Sequence, residues 1–317
     1  MEQDKGLLYL FPMNMREKWK QVAGISDRVQ EIRLRGERPV VILTQEGEFF
    51  LRSNGLMTRK IQEAYVMASC DLEEILSYMC HYSIYAFEDE IKKGYLTMPG
   101  GHRVGVTGQA VLESADTIKN MKHISYMNIR VAHQIKGAAD RVLPFLYEQG
   151  RLCSTLIISP PGCGKTTLLR DIVRQVSDGN TYGAGVTVGV VDERSEIAGS
   201  FMGKAQNDVG MRTDVLDGCP KVCGMMMLIR SMGPRVIAVD ELGGNGDLEA
   251  LKRAASCGCA LLATVHGDDL AALREKEETS RLLQARLFER YVVLGKKNGQ
   301  PCVQGVYGKR FEGCNGW

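Results

Sequence analysis

The run Ser159-Pro160-Pro161-Gly162-Cys163-Gly164-Lys165-Thr166-Thr167 follows the apolar triplet Leu156-Ile157-Ile158 and precedes Leu168-Leu169-Arg170-Asp171. A strand, a glycine-bearing loop and a helix in that order form a phosphate cradle, the P-loop or Walker A pattern. The glycines let backbone amides turn inward, Lys165 can reach the β- and γ-phosphate oxygens, and the Thr166 hydroxyl is offered to magnesium. All nine residues, 159 to 167, are candidate ATP contacts. Ser159 stands where the usual pattern has glycine. That position mainly shapes the turn, so a small serine serves if its backbone torsion is ordinary, whereas Gly162 and Gly164 meet the tighter demand of close phosphate approach.

Three further segments carry matching chemistry. Val236-Ile237-Ala238-Val239-Asp240-Glu241 is a buried strand ending in two acids, Asp240 to hold magnesium and Glu241 to polarise a water. A strand ending in a solvated acidic turn is common by itself; the P-loop roughly 75 residues upstream gives this one its meaning. Ala263-Thr264-Val265-His266-Gly267 offers Thr264 and His266 as γ-phosphate sensors, although a lone histidine at a strand end is more often structural. Val190-Val191-Asp192-Glu193-Arg194-Ser195-Glu196 is a strand tip dense in charge that faces the same crevice, although by itself such a tip is more often an exposed loop. A triphosphate brings about four negative charges against Lys165 and one magnesium ion, so more cations are needed. Arg194, Arg212 and Arg230 are the candidates, acting across a subunit interface.

These residues need a sheet whose strand ends share one edge. Apolar strands over 152–158, 186–191, 235–239 and 260–265, alternating with helices, predict a parallel α/β sheet covered on both faces. The first 130 or so residues read differently. Strands over 30–35, 39–44, 48–51, 95–98, 102–111 and 124–131 are interrupted by helices over 71–80, with Asp71 and Glu74 as a capping-box-like pair, and over 83–92. That pattern is α+β. A helix over 138–150 marks the junction, with Gln134 to Gly137 as the hinge between an N-terminal domain, 1–135, and a P-loop domain, 136–317.

The chain of 317 residues is 44% hydrophobic and 25% charged, with a formal net charge of +2. This is ordinary globular composition, without the basic footprint of a dedicated nucleic-acid binder. No stretch approaches the roughly 18 apolar residues of a membrane span, and Met1 to Lys5 carries Glu2 and Asp4 without an apolar leader. The expected location is the cytoplasm, with any membrane association peripheral and through a partner. Of the ten cysteines, Cys219 with Cys223 and Cys257 with Cys259 fit no zinc knuckle, and mostly buried, reduced thiols are expected.

The order of P-loop, Asp192-Glu193-Arg194, Asp240-Glu241 and Thr264-x-His266, with Leu228-Ile229-Arg230-Ser231-Met232-Gly233-Pro234 before the acidic strand, resembles the secretion-type ATPases of type II and type IV secretion and pilus retraction. Val191 to Gly199, Glu31-Ile32-Arg33-Leu34-Arg35 and Gly101 to Gly108 look like the sporulation branch of that family in endospore-forming bacteria, so the likeness spans nearly the whole chain. It implies a RecA-like core hydrolysing ATP with magnesium, a homo-oligomer, specifically a hexamer, and docking on integral membrane channel proteins between mother cell and forespore. Ser159 and the paired acids depart from the family's usual glycine and single glutamate, and the second departure leaves open whether Glu241 alone activates water or shares that role with Glu193. Three alternatives stay open: a P-loop ATPase translocating nucleic acid, a lidded small-molecule kinase, and a nucleotide-gated scaffold without turnover.

Overall fold

The computed structural model describes residues 6–317 except 115, 116, 245, 298, 315 and 317. The leader-free reading of Met1 to Lys5 falls outside the described residues. The chain divides into two compact units. One comprises Met1–His133 with Gly199–Gln206, the other Gln134–Ala198 with Asn207–Trp317.

The first unit is an antiparallel seven-stranded sheet. Its strands are β1 (Val29–Arg35), β2 (Val41–Thr44), β3 (Gly47–Leu51), β4 (Met57–Thr58), β5 (Tyr95–Thr97), β6 (Arg103–Ser114) and β7 (Thr117–Arg130), in the order β4-β3-β2-β1-β7-β6-β5. Ile32 and Leu34 point inward with period two, as the alternation of Glu31, Arg33 and Arg35 between them requires. Helix α1 (Arg16–Gly24) brings Trp19 into the core, where it stacks on Phe11 with ring centroids 3.9 Å apart. Helix α2 (Ser69–Met79) buries Leu72, Ile75, Leu76 and Met79. The expected capping box does not form, because α2 starts two residues before Asp71. Asp71 instead accepts a hydrogen bond from the Tyr65 hydroxyl at 2.5 Å, and Glu74 accepts one from Asn14. The helix expected over 83–92 splits into a 3-10 turn, Ile84–Phe87, and α3 (Glu88–Lys92).

In the second unit the strands of the main sheet are β8 (Thr155–Ser159), β9 (Val188–Asp192), β10 (Thr213–Asp217), β11 (Val236–Leu242), β12 (Ala260–His266), β13 (Arg290–Lys297) and β14 (Gln300–Tyr307). Their order is β10-β9-β11-β12-β8-β13-β14. All neighbours are parallel except the β13–β14 hairpin, so the sheet expected to be parallel carries one antiparallel edge. Alternate residues feed two cores. Ile157, Val190, Ala238 and Leu262 pack with Leu168, Leu169, Ile172, Val173 and Val176 of α5 (Lys165–Asp178). Leu156, Ile158, Val239 and Ala263 pack on the other face with α6 (Lys221–Ser231) and α7 (Asp247–Ser256). Each fully buried leucine or valine contributes about 1.5–3 kcal/mol. Short helices Leu270–Glu275 and Glu277–Gln284 follow β12.

The helix expected over 138–150 shrinks to α4 (Leu143–Leu146), since Pro144 lacks the amide that a longer helix would need. Cysteine burial is also narrower than expected. Cys80, Cys153, Cys163 and Cys259 are buried, whereas Cys70, Cys223 and Cys257 are exposed, Cys257 because it closes α7 before β12 begins. No described helix is long and apolar enough to cross a membrane.

Candidate functional site

Sheet order assembles the site. β8, β12, β11 and β9 lie side by side, and their registers pair Ser159 with His266, Val239 with Ala263 and Val191 with Val239. The C-terminal ends of four parallel strands therefore open onto one edge, the ligand-binding position of open α/β sheets. β8 is buried throughout, and Ser159 donates its hydroxyl to the Pro160 carbonyl at 2.8 Å. Its φ is negative, so serine replaces glycine there without strain. Gly162 and Gly164 do occupy the left-handed region, at φ 68° and 83°, and Gly164 is the N-cap of α5.

The acids of β11 sit on a bulge. Register with β12 slips between Val239 and Leu242, and Glu241 takes φ 56°, unusual for a residue with a Cβ. Such local strain persists where neighbours over-determine it. Here they do: the Glu241 amide donates to Thr264 Oγ1 at 2.8 Å, and the same hydroxyl donates to Asp240 Oδ1. The other oxygen of Asp240 accepts from Thr166 Oγ1 at 2.7 Å. Thr166, Asp240 and Thr264 thus form one hydrogen-bonded chain from helix to sheet.

Three basic side chains surround the Glu241 carboxylate. Arg194 Nη1 lies 2.6 Å from Oε2, Lys165 Nζ 3.6 Å from Oε2, and His266 Nε2 3.0 Å from Oε1. Burial works to raise the Glu241 carboxyl, but Lys165, Arg194 and His266 outweigh it and hold the group below the ordinary glutamate value. His266 Nε2 is also 3.0 Å from Lys165 Nζ, so it donates to Glu241 in one tautomer and accepts from Lys165 in the other.

The charged tip of β9 is built differently. Asp192 is buried and accepts the amides of Glu196 at 2.8 Å, Ile197 at 3.1 and 3.2 Å, and Ala198 at 2.8 Å. Burial pushes its carboxyl above the ordinary aspartate value against those three donors. Glu193 takes the Lys221 ammonium at 2.5 Å, and both line a small cleft with Arg194, Asp240 and Glu241. The geometry thus brings together Lys165, Thr166, Asp240, Glu241, Thr264, His266, Glu193 and Arg194. It does not gather the other two arginines. Arg212 donates to the carbonyls of Ser177 and Asp178 at the far end of α5, and Arg230 is exposed in the last turn of α6. Lys221 and Arg170 escaped sequence reasoning. Neither stands in a pattern tied to phosphate, and only the packing of α5 and α6 brings them to the loop after β9.

Solved structures with the same fold include a Legionella pneumophila ATPase DotB, with TM-score 0.57 and 15% identity, covering 94% of this chain and 81% of that one. The pilus retraction motor PilT with bound ADP is similar too, with TM-score 0.57 and 13% identity, covering 91% and 81%. The fold is thereby the RecA-like one of these structures, with a mostly parallel sheet in one unit and an antiparallel sheet in the other. The chain belongs to the family Sporulation stage III, protein AA, which matches residues 1–313. It is 41% identical over 281 residues to Stage III sporulation protein AA of Bacillus subtilis (strain 168), covering 89% of this chain and 87% of the relative.

Proposed function

We propose that the protein is an ATP-hydrolysing motor that works as a ring of identical subunits, a hexamer, in the cytoplasm on the cytosolic face of a membrane channel complex. The observation that carries this reading is the convergence of Lys165, Arg194 and His266 on the Glu241 carboxylate beside the Thr166–Asp240 hydrogen bond. Magnesium suits the Thr166–Asp240 pair, since a hydroxyl and a carboxylate are the hard oxygen donors that ion takes alongside phosphate and water. Bound there, it would neutralise phosphate charge.

The residues then divide the work. Backbone amides from Gly162 to Thr166 cradle the β-phosphate at the N-terminus of α5, and Lys165 leaves Glu241 for the phosphate oxygens. Glu241, no longer paired to Lys165 and still oriented by Arg194, accepts the proton of the attacking water at its carboxylate oxygen. Glu193, held by Lys221, is the second choice for that proton. Thr264 and His266 register the γ-phosphate through the two acids they touch. Domain 1–135, together with 199–206, and the rest of domain 136–317 move as bodies about Gln134 to Gly137, so ATP should alter the rate of proteolytic cutting there.

The deciding experiment incubates the purified protein with ATP and magnesium while free phosphate and particle mass are followed. Steady phosphate release by a multi-subunit particle is expected. A single equivalent of product, or transfer of the phosphoryl group to an added metabolite, would overturn the motor reading in favour of a scaffold or a kinase.

A further inference from the structure

Arg170 is buried to 9% exposure on α5, four residues after Thr166 and on the same stripe of the helix. A guanidinium in that position is costly to bury unless its donors are used. It is used on a loop. Its Nε donates to the Ile197 carbonyl at 2.6 Å and its Nη2 to the Glu196 carbonyl at 2.5 Å. Asp192 holds the same stretch from the opposite side by accepting the amides of Glu196, Ile197 and Ala198. The peptide units of 196–198 therefore lie between an anion that takes their N–H groups and a cation that takes their C=O groups, both aligned with the peptide dipoles. Asn207 adds a further bond to the Ile197 carbonyl at 3.1 Å.

The clamped segment is one end of the loop that presents Glu193 and Arg194. The other end is the tip of β9, which carries Asp192. With both ends fixed, the Arg194 guanidinium is delivered to Glu241 although its own side chain is largely exposed. Ser195, at φ 53° with its hydroxyl on Asp217 at 2.7 Å, lets the loop reverse between those ends.

We propose that Arg170 is a positioning residue for ATP hydrolysis: by holding the carbonyls of Glu196 and Ile197 it sets where Glu193 and Arg194 stand against Glu241, without touching nucleotide itself. This rests on the ATPase reading above. Because Arg170 and the P-loop residues share one rigid helix, a displacement of the P-loop on phosphate arrival also displaces the clamp. The acidic loop is thereby geared to the phosphate site through a single helical turn.

The test has two arms. In the first, amide hydrogen exchange is followed over residues 193–198 in the intact protein, in Arg170→Met and in Arg170→Lys. Met keeps most of the volume without donors; Lys keeps the charge but cannot serve both carbonyls in the guanidinium's geometry. Faster exchange in both variants, with the β8 and β12 amides unchanged, is expected; unchanged protection in the loop would overturn the clamp whether or not the protein turns over ATP. In the second arm, ATP affinity should stay within about threefold while kcat falls roughly tenfold to a hundredfold, the cost of misplacing reacting groups by about 1 Å. Adding Arg194→Ala to Arg170→Met should then cost little more than Arg170→Met alone, since the first change already removes the benefit of the second. Losses that multiply independently would overturn the positioning role. If Arg170→Met does not fold, Arg170→Lys and Asp192→Asn give the same readouts from either side of the clamp. Absence of turnover in the unaltered protein would sink the ATPase reading and leave the exchange arm to decide the clamp.

Discussion

The Thr166 hydroxyl, in the first turn of α5, meets the Asp240 carboxylate, on the bulge of β11, at 2.7 Å. These residues are 74 apart in the chain, and the bond ties the glycine-bearing loop and its helix to the acidic strand through the two side chains proposed above to hold magnesium.

Lys165 and Glu241 should separate binding from hydrolysis. Lys165→Ala removes the phosphate cation and is expected to abolish measurable ATP binding. Glu241→Gln keeps the shape but loses the proton acceptor, so nucleotide should bind while phosphate release slows by roughly two orders of magnitude. Its affinity should also rise, because Lys165 and Arg194 no longer have a carboxylate to satisfy before phosphate arrives. Undiminished turnover in Glu241→Gln would transfer the base role to Glu193.

The three arginines should behave differently when inactive proteins are mixed. Arg194 reaches Glu241 within its own chain, so mixing Arg194→Ala with Glu241→Gln should restore nothing. Arg230 is exposed on α6; if it completes a neighbour's site, Arg230→Ala mixed with Glu241→Gln regains part of the activity at junctions where both residues are intact. Arg212→Ala should lower the melting temperature through lost bonds to the Ser177 and Asp178 carbonyls and leave turnover per folded molecule near normal.

Asp171 supplies a pH-dependent anchor. It is buried, and it accepts from the Ala139 amide at 2.9 Å and from Arg174 at 2.7 Å. Burial works to raise its carboxyl, but Ala139, Arg174 and Gln175 together hold it below the ordinary aspartate value. A folded-state pKa below the unfolded one contributes stability that is complete above the unfolded pKa and is lost as pH falls through the folded pKa. Asp171→Asn should therefore cost about 1–3 kcal/mol at neutral pH. In urea titrations, the gap to the unaltered protein should close as pH falls below about 4. A gap that stays constant down to acid would refute the assignment.

Gly224 tests how closely α6 must approach the sheet. A methyl group there would stand 2.5 Å from Val191 Cγ1, and Val191 is a buried, β-branched residue of β9 that cannot swing aside. Replacing helical glycine by alanine ordinarily gains about 1 kcal/mol, but overpacking costs about 1–3 kcal/mol, so Gly224→Ala should be destabilising on balance. It should also weaken the Lys221–Glu193 contact, because both residues ride on the elements pushed apart. Equal or higher stability would show that α6 can shift freely.

Much of the site was legible because each motif ended a strand of the same parallel sheet. The β8, β9, β11 and β12 segments were apolar enough to read directly, and their tips carried the polar residues. The bulge at Asp240 and Glu241 left no trace in the pattern, since a strand with one extra residue has the same composition as one without. Arg170 was invisible for a related reason: an arginine on a helix reads as solvent-facing until the packing partner is known. Edge strand β10 and hairpin β13–β14 were missed because Thr213 to Asp217 is half polar and Pro301 interrupts the last strand. The hidden break in the junction helix was in principle readable from Pro144.

Gly199–Gln206 belongs to the first unit, where Gln206 accepts from the Gly100 amide at 3.0 Å and Phe201 lies beside His81. The flanking residues Ala198 and Asn207 are joined by an amide-to-carbonyl bond of 2.9 Å, so the excursion begins and ends at one point. On the ribosome this sets an order of events. The amino-terminal sheet emerges first, yet it lacks one of its own pieces until the chain has been synthesised past the P-loop and through residue 206. Domain-by-domain folding in order of synthesis is therefore open only in part to this chain, and the nascent amino-terminal unit waits, incomplete, while the glycine-bearing loop 159–167 is being made.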